Sequence, residues 1–275
     1  MKNALVLSGG GVKGAFEAGV IKALTEKGQS WDIMAGVSAG AINAAFMAQY
    51  RPESQALGAS ALVDLWKSIK DSDIKKRWFP FGKLHSLWTG GLYNTSPLLS
   101  LIKKNLSSID LFTSGVNLSI GAVSLHTGEY KYVSGTEDEI HQWVLASSAF
   151  PVAFPPVEIN GELWIDGGVK DTTPITDVLA PQVNNIDVVV TSYLGAKLKD
   201  QNVKKNPLSI ALRAATIMSD EVYNSDLNKV PPFWMDSIKL YQPPSIAILP
   251  DDVLEFDPKV IESLIALGYE VGKNG

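Results

Sequence analysis

Among the side chains of this 275-residue sequence that could do covalent chemistry, Ser38 stands out, set in Gly36-Val37-Ser38-Ala39-Gly40. A nucleophile elbow needs small neighbours, because its serine occupies a strained turn where the chain nearly meets itself. The spacing alone is weak, and Ser38 as a plain helix N-cap is the competing reading. A second group is Gly9-Gly10-Gly11-Val12-Lys13-Gly14. Consecutive glycines can turn backbone N–H groups outward at a helix N-terminus, where an anion is favoured and an oxyanion could be held. The same residues fit the Gly-x-Gly-x-x-Gly dinucleotide fingerprint, but its ribose-binding acid would have to be Asp32, at the wrong end of the next strand. No Gly-Lys-Ser/Thr follows, so the phosphate-loop pattern is absent. The third group is Asp166-Gly167-Gly168, either a common Asp-Gly turn or a base for the serine.

The composition narrows these choices. There is no cysteine, which removes Cys nucleophiles, disulfides and thiolate metal sites. The three histidines, His85, His126 and His141, show no metal-ligand spacing, and none follows Asp166. A Ser-Asp-His order in the α/β-hydrolase manner is therefore impossible with this aspartate. The conflict resolves if Asp166 takes the serine proton itself. A carboxylate is a weak base at its ordinary pKa of about 3.9, so burial should raise it. The apolar Leu163-Trp164-Ile165 before it supplies such a setting. A net charge of -5 argues against nucleic-acid binding. No signal peptide and no apolar run of about 20 residues is present, which points to a cytosolic location. No metal or cofactor is expected.

These groups need a scaffold that brings them to one edge. Residues 4–7 read as a buried strand, 15–24 as a helix with Phe16, Val20, Ala23 and Leu24 on one face, 31–37 as a strand and 39–50 as a helix. Strand, helix, strand, helix implies a parallel sheet covered on both faces. Further helices are expected over 55–69, 96–105, 208–227 and 258–268, and strands over 116–123, 130–133 and 186–192. Asn160-Gly161 between two apolar runs signals a two-residue hairpin. Without a linker or repeat, residues 1–275 read as a single domain.

The glycine-rich opening, Gly36-x-Ser38-x-Gly40 and Asp166-Gly167-Gly168, in this order, resemble the patatin-like phospholipase family. Ala146-Ser147-Ser148-Ala149-Phe150-Pro151, followed by Pro155-Pro156, looks like that family's central block. The resemblance implies a three-layer α/β/α sandwich around a mostly parallel sheet and a Ser-Asp dyad that hydrolyses lipid acyl esters, as a phospholipase A, lysophospholipase or esterase. By position, Ser38 is the nucleophile and Asp166 the base. The N–H groups of Gly10 and Gly11, with Ala39, form the oxyanion hole, and Gly9, Gly14, Gly36, Gly40, Gly167 and Gly168 support the motifs. An acyltransferase using the same acyl-enzyme, or a non-catalytic lipid-binding protein, remains the alternative.

The expected partner is a lipid or acyl-ester substrate, with peripheral membrane contact through an aromatic stretch. Residues 75–93 carry Trp78, Phe79, Phe81, Leu87, Trp88 and Tyr93 behind Lys75-Lys76-Arg77, a composition that suits a lid or cap or a membrane contact, the competing reading being rings that pack on the core or line the acyl pocket. Pro231-Pro232-Phe233-Trp234-Met235 is a second such cluster. Lys13 reads either as a residue that orients the glycine loop or as an exposed first-turn lysine.

Overall fold

The computed structural model describes residues 1–79, 86–193, 207–245, 249–250 and 252–275. Phe81 and His85 lie outside these residues, as does the side chain of Leu87. In chain order the elements are β1 (Lys2–Leu7), α1 (Gly14–Glu26), β2 (Ile33–Gly36), α2 (Ala39–Ala48), α3 (Gln55–Ser68), α4 (Asp71–Ile74), α5 (Ser86–Thr89), α6 (Ser96–Asn105), α7 (Ser108–Ser114), β3 (Asn117–Ser124), β4 (Tyr130–Ser134), α8 (Ile140–Ser147), β5 (Val157–Ile159), β6 (Glu162–Asp166), β7 (Val183–Val189), α9 (Pro207–Asp226), β8 (Ile238–Tyr241) and α10 (Pro258–Asn274).

The strands form one mixed sheet in the order β5-β6-β3-β2-β1-β7-β8, with β4 also paired to β3. β1, β2, β3, β7 and β8 pair in parallel, and β4, β5 and β6 join antiparallel. Alternating side chains of β1 feed two cores. Leu5 and Leu7 pack into the larger one with α1, α2, α3, α8 and α10. Ala4 and Val6 pack into the smaller one with Ile175, Val178, Val230 and Trp234. Both faces are thus covered by helical segments, as the strand-helix alternation predicts. The second layer is thinner, because 3-10 turns at Ile175–Val178 and Pro232–Ser237 supply much of it.

The register of β3 sets where the chemistry can occur. β2 pairs with Asn117 to Ile120 of β3, and β6 pairs with Ala122 to Ser124. β4 pairs with Ser119 to Val123, overlapping both. A strand has only two edges, so β2 and β6 must share the edge opposite β4. β2 ends at Gly36, opposite Ile120, and β6 ends at Asp166, opposite Ala122. The last residues of two strands are therefore brought together beside one neighbour.

The expected elements appear, with changes at their ends. The hairpin forms with Asn160 at φ 53° and Gly161 at φ 78°, both in the left-handed region that such a turn requires. The last helix continues past Gly268 to Asn274. That glycine is no helix stop; it lets the backbone of α1 come close at Phe16, where a Cβ would collide. Helix α7 is marked only at its ends, by the Ser107 N-cap that accepts the Asp110 N–H and by Gly115 in the left-handed region, while α8 and strand β8 carry no clear sequence signal. β8 has four residues, too few for period-two alternation to register.

Candidate active site

Ser38 joins β2 to α2 at φ 56° and ψ -125°, a backbone conformation that strains any residue with a side chain. The turn exists because its flanks are glycines. A Cβ on Gly36 would strike the Gly40 carbonyl, and one on Gly40 would strike the Leu7 carbonyl. The Ser38 hydroxyl makes no cap hydrogen bond to α2, so the plain N-cap reading fails. Ser38 is instead half-buried in the wall of a cavity that also takes in Gly9, Gly10, Gly11, Lys13, Ala39, Asp166 and Gly168.

Asp166 is 2 % exposed at the end of β6. Its Oδ1 accepts the Gly168 N–H at 2.8 Å, so it does form the Asp-Gly turn. Burial pushes its carboxyl up to about 7, opposed by the Gly168 N–H and by the nearby Ser38 hydroxyl. The turn role and a role as base are compatible in this one carboxyl group. No described histidine lines the cavity. His141 Nε2 faces the Leu106 carbonyl at 2.8 Å, and His126 is exposed.

Gly10 and Gly11 are partly open to the cavity, and among the described residues their N–H groups have no acceptor. The Ala39 N–H at the start of α2 is likewise without one. The Gly9 N–H is engaged with the Thr172 carbonyl at 3.0 Å, leaving Gly9 as a structural partner of the turn. Gly11, at φ 58°, begins the 3-10 turn Gly11–Lys13. Gly14 is buried against Trp66 and Ala39, and Gly167 against the Gly121 backbone, neither in the cavity wall. The dinucleotide reading fails on geometry. Asp32 Oδ2 accepts the Asn3 N–H at 3.0 Å, at the end of the sheet opposite the glycine turn.

The block 146–151 has a physical role that its sequence does not announce. The Ser38 N–H donates to Ser147 Oγ at 3.0 Å, and Ser148 Oγ donates to the Ser38 carbonyl at 3.2 Å. The Asp166 N–H donates to the Ala149 carbonyl at 3.1 Å. The C-terminal end of α8 and the two residues after it thus grip both Ser38 and Asp166. Asp226, at the end of α9, has a similar bracing role. Its Oδ2 accepts the Thr172 and Thr173 N–H groups, each at 2.8 Å, and Thr172 in turn holds Gly9. No sequence signal marked it, because a buried helix-terminal aspartate reads like any other.

Behind the reactive groups the cavity, about 230 Å³, is lined by apolar side chains such as Ile42, Phe46, Leu98, Ile102, Val144 and Leu254. The stretch 75–93 is divided. Trp78 Nε1 donates to the Gly91 carbonyl at 3.0 Å, Leu92 is buried and Tyr93 packs edge-on against Phe154, a cavity-wall residue. Phe79 and Trp88 are 91 % and 75 % exposed. In the second cluster Trp234 packs on the smaller core while Phe233 and Met235 are exposed.

The family model "Patatin-like phospholipase" matches residues 5–179. Lysophospholipase NTE1 of Mycosarcoma maydis is 25% identical over 196 residues, 69% of this chain and 10% of that protein. Patatin-like phospholipase domain-containing protein 7 of Mus musculus is 28% identical over 206 residues, 71% of this chain and 13% of that protein. The chain thus spans about a tenth of the length of these relatives. The crystal structure of VipD from Legionella pneumophila shares the fold, with a TM-score of 0.50 at 15% identity over 99% of this chain and 66% of that one. With most of its length matched, and with a serine elbow, glycine turn and Asp-Gly-Gly loop meeting at one cavity, the chain belongs to the patatin-like phospholipase family.

Proposed function

We propose that this protein is a serine lipid acyl hydrolase in which Ser38 is the nucleophile and Asp166 its base. The observation that carries the reading is one cavity wall holding a strained, uncapped serine, a buried carboxyl raised to about 7 and partnerless backbone N–H groups. Near neutral pH about half of Asp166 is ionised, which suits a general base. Ser38 Oγ attacks the ester carbonyl carbon as Asp166 takes its proton. The carbonyl oxygen becomes an oxyanion, held by the N–H groups of Gly10 and Gly11 with Ala39 at the positive end of α2. Collapse breaks the ester C–O bond, and Asp166 returns the proton to the departing alcohol. Water then attacks the acyl-enzyme, giving its proton to Asp166, and Ser38 regains a proton as the fatty acid leaves.

The apolar wall supports an acyl chain as the buried part of the substrate. Lysophospholipids are the substrate class that the printed names of the relatives suggest. No described helix is long and apolar enough to cross a membrane, so Phe79 and Trp88 are proposed as peripheral contacts with lipid. Labelling with a fluorophosphonate probe tests the core of the reading. Wild type should be modified and Ser38→Ala should not; an unlabelled wild type, inert on p-nitrophenyl esters as well, would sink it.

A further inference from the structure

Only four charged side chains line the cavity among the described residues: Lys13, Asp166, Arg213 and Asp220. Asp166 is accounted for by the chemistry. The other three are not, and two of them sit on α9 beyond residues 5–179, outside the family match. Arg213, Thr216 and Asp220 follow one another at spacings of three and four, so they share one face of α9, and all three reach the cavity wall. Asp220 is within electrostatic reach of both Lys13 and Arg213, which favour its ionised form against partial burial and the neighbouring Glu221, an exposed residue outside the cavity wall. The three charges therefore form one group, two positive and one negative, beside a pocket whose remaining wall is largely apolar.

That pattern is the complement of a phosphodiester joined to an ammonium. Arginine offers a planar pair of donors to phosphate oxygens, lysine a point charge, and threonine a hydroxyl donor. A carboxylate within the same group suits the ammonium. Resting on the hydrolase reading above, we propose that the Arg213–Thr216–Asp220 face of α9, with Lys13 of the glycine turn, is a subsite for the zwitterionic phospho-headgroup of a lysophospholipid. The acyl chain then lies along the apolar wall. Arg213 and Lys13 hold the phosphate, Asp220 receives the ammonium, and α9 acts as the element that sets headgroup preference. Charge complementarity of this kind contributes to selection more than to raw affinity.

The test compares kcat/KM on octanoyl esters presented as monomers: lysophosphatidylcholine, lysophosphatidic acid, monooctanoylglycerol and p-nitrophenyl octanoate. Wild type should prefer lysophosphatidylcholine over monooctanoylglycerol by about tenfold or more, the scale of one charge-assisted contact. Arg213→Gln should cut that ratio about tenfold, whereas Arg213→Lys, which keeps the cation, should retain most of it. Asp220→Asn should lower the lysophosphatidylcholine to lysophosphatidic acid ratio several-fold, since only the former carries an ammonium. Ratios unmoved by Arg213→Gln and Asp220→Asn, in a wild type that turns over p-nitrophenyl octanoate, would overturn the subsite alone. A wild type inactive on all four esters and unlabelled by fluorophosphonate would remove the hydrolase reading and the subsite with it.

Discussion

The Ser38 turn and helix α9 line the same cavity under opposite constraints. Around Ser38 the backbone approaches itself so closely that Gly36 and Gly40 can carry no side chain, and the flanking Val37 and Ala39 are buried. Helix α9 is far less enclosed, with Ile210, Ile217 and Met218 exposed. The first region permits almost one sequence, and the second permits many. The proposed chemistry demands a rigid turn, because an oxyanion and a nucleophile must be placed to within fractions of an ångström. Substrate choice can be left to side chains on a helix, where a single exchange alters what is bound without disturbing the turn.

The sharpest way to break this contrast is to alter the turn. Ser38→Ala should fold normally yet lose activity by about 10⁴-fold or more, read by ester hydrolysis. Gly40→Ala should fail differently, since its Cβ strikes the backbone of Leu7 and Ser8. Loss of more than about 3 kcal/mol is expected there, seen as a large fall in Tm. A Gly40→Ala variant as stable as wild type would show that the turn is far less constrained than described.

Asp166→Asn should lower kcat by about 10³-fold or more and yet stabilise the fold above neutral pH. The folded carboxyl sits at about 7, against about 3.9 when unfolded. Between those values the folded state keeps a proton that the unfolded chain has released, so stability falls as pH rises through the window. Removing the ionisable group relieves a penalty on the order of 2 to 4 kcal/mol at pH 8 and almost none at pH 4. Melting curves of both proteins across this range check it, and a constant gap in Tm would refute the buried-base picture. In wild type, activity should rise with pH through about 7.

A smaller effect is expected from the grip behind the turn. Ser147→Ala removes the acceptor of the Ser38 N–H in a fully buried site. An orphaned donor costs about 1 to 3 kcal/mol, and kcat should drop about tenfold while KM changes little. Smallest are the exposed rings. Phe79→Ser with Trp88→Ser should weaken co-sedimentation with phospholipid vesicles a few-fold and leave hydrolysis of a monomeric ester within about twofold. Equal vesicle binding would assign those rings no membrane contact.

What could be read from the sequence follows the same division. Gly36, Ser38, Gly40, Asp166 and the glycine turn were visible because only a few residue types satisfy their geometry, and those types are distinctive in a row. The early strands and helices were visible because their periodicity is long and regular. The sequence does not mark Ser147 and Ser148 as holding Ser38, nor Asp226 as bracing the loop that holds Gly9, since a hydroxyl or carboxyl aimed at backbone leaves no spacing to detect. Nor is the α9 face marked in the sequence, since its meaning comes from lying beside Lys13, about 200 residues away along the chain. The division of 75–93 into a tied-down part and an exposed part was equally hidden, because Trp78 and Trp88 look alike until one finds the Gly91 carbonyl.

The shared edge of β3 has an architectural consequence. Ser38 and Asp166 are remote along the chain, yet each follows from a strand end fixed by the same hydrogen-bond ladder, two rungs apart. The stretch from α3 through α7, threaded between them, sits outside that ladder. Such intervening segments can be lengthened, shortened or exchanged while Ser38 and Asp166 stay in register, so a new pocket can be fitted around an unchanged pair.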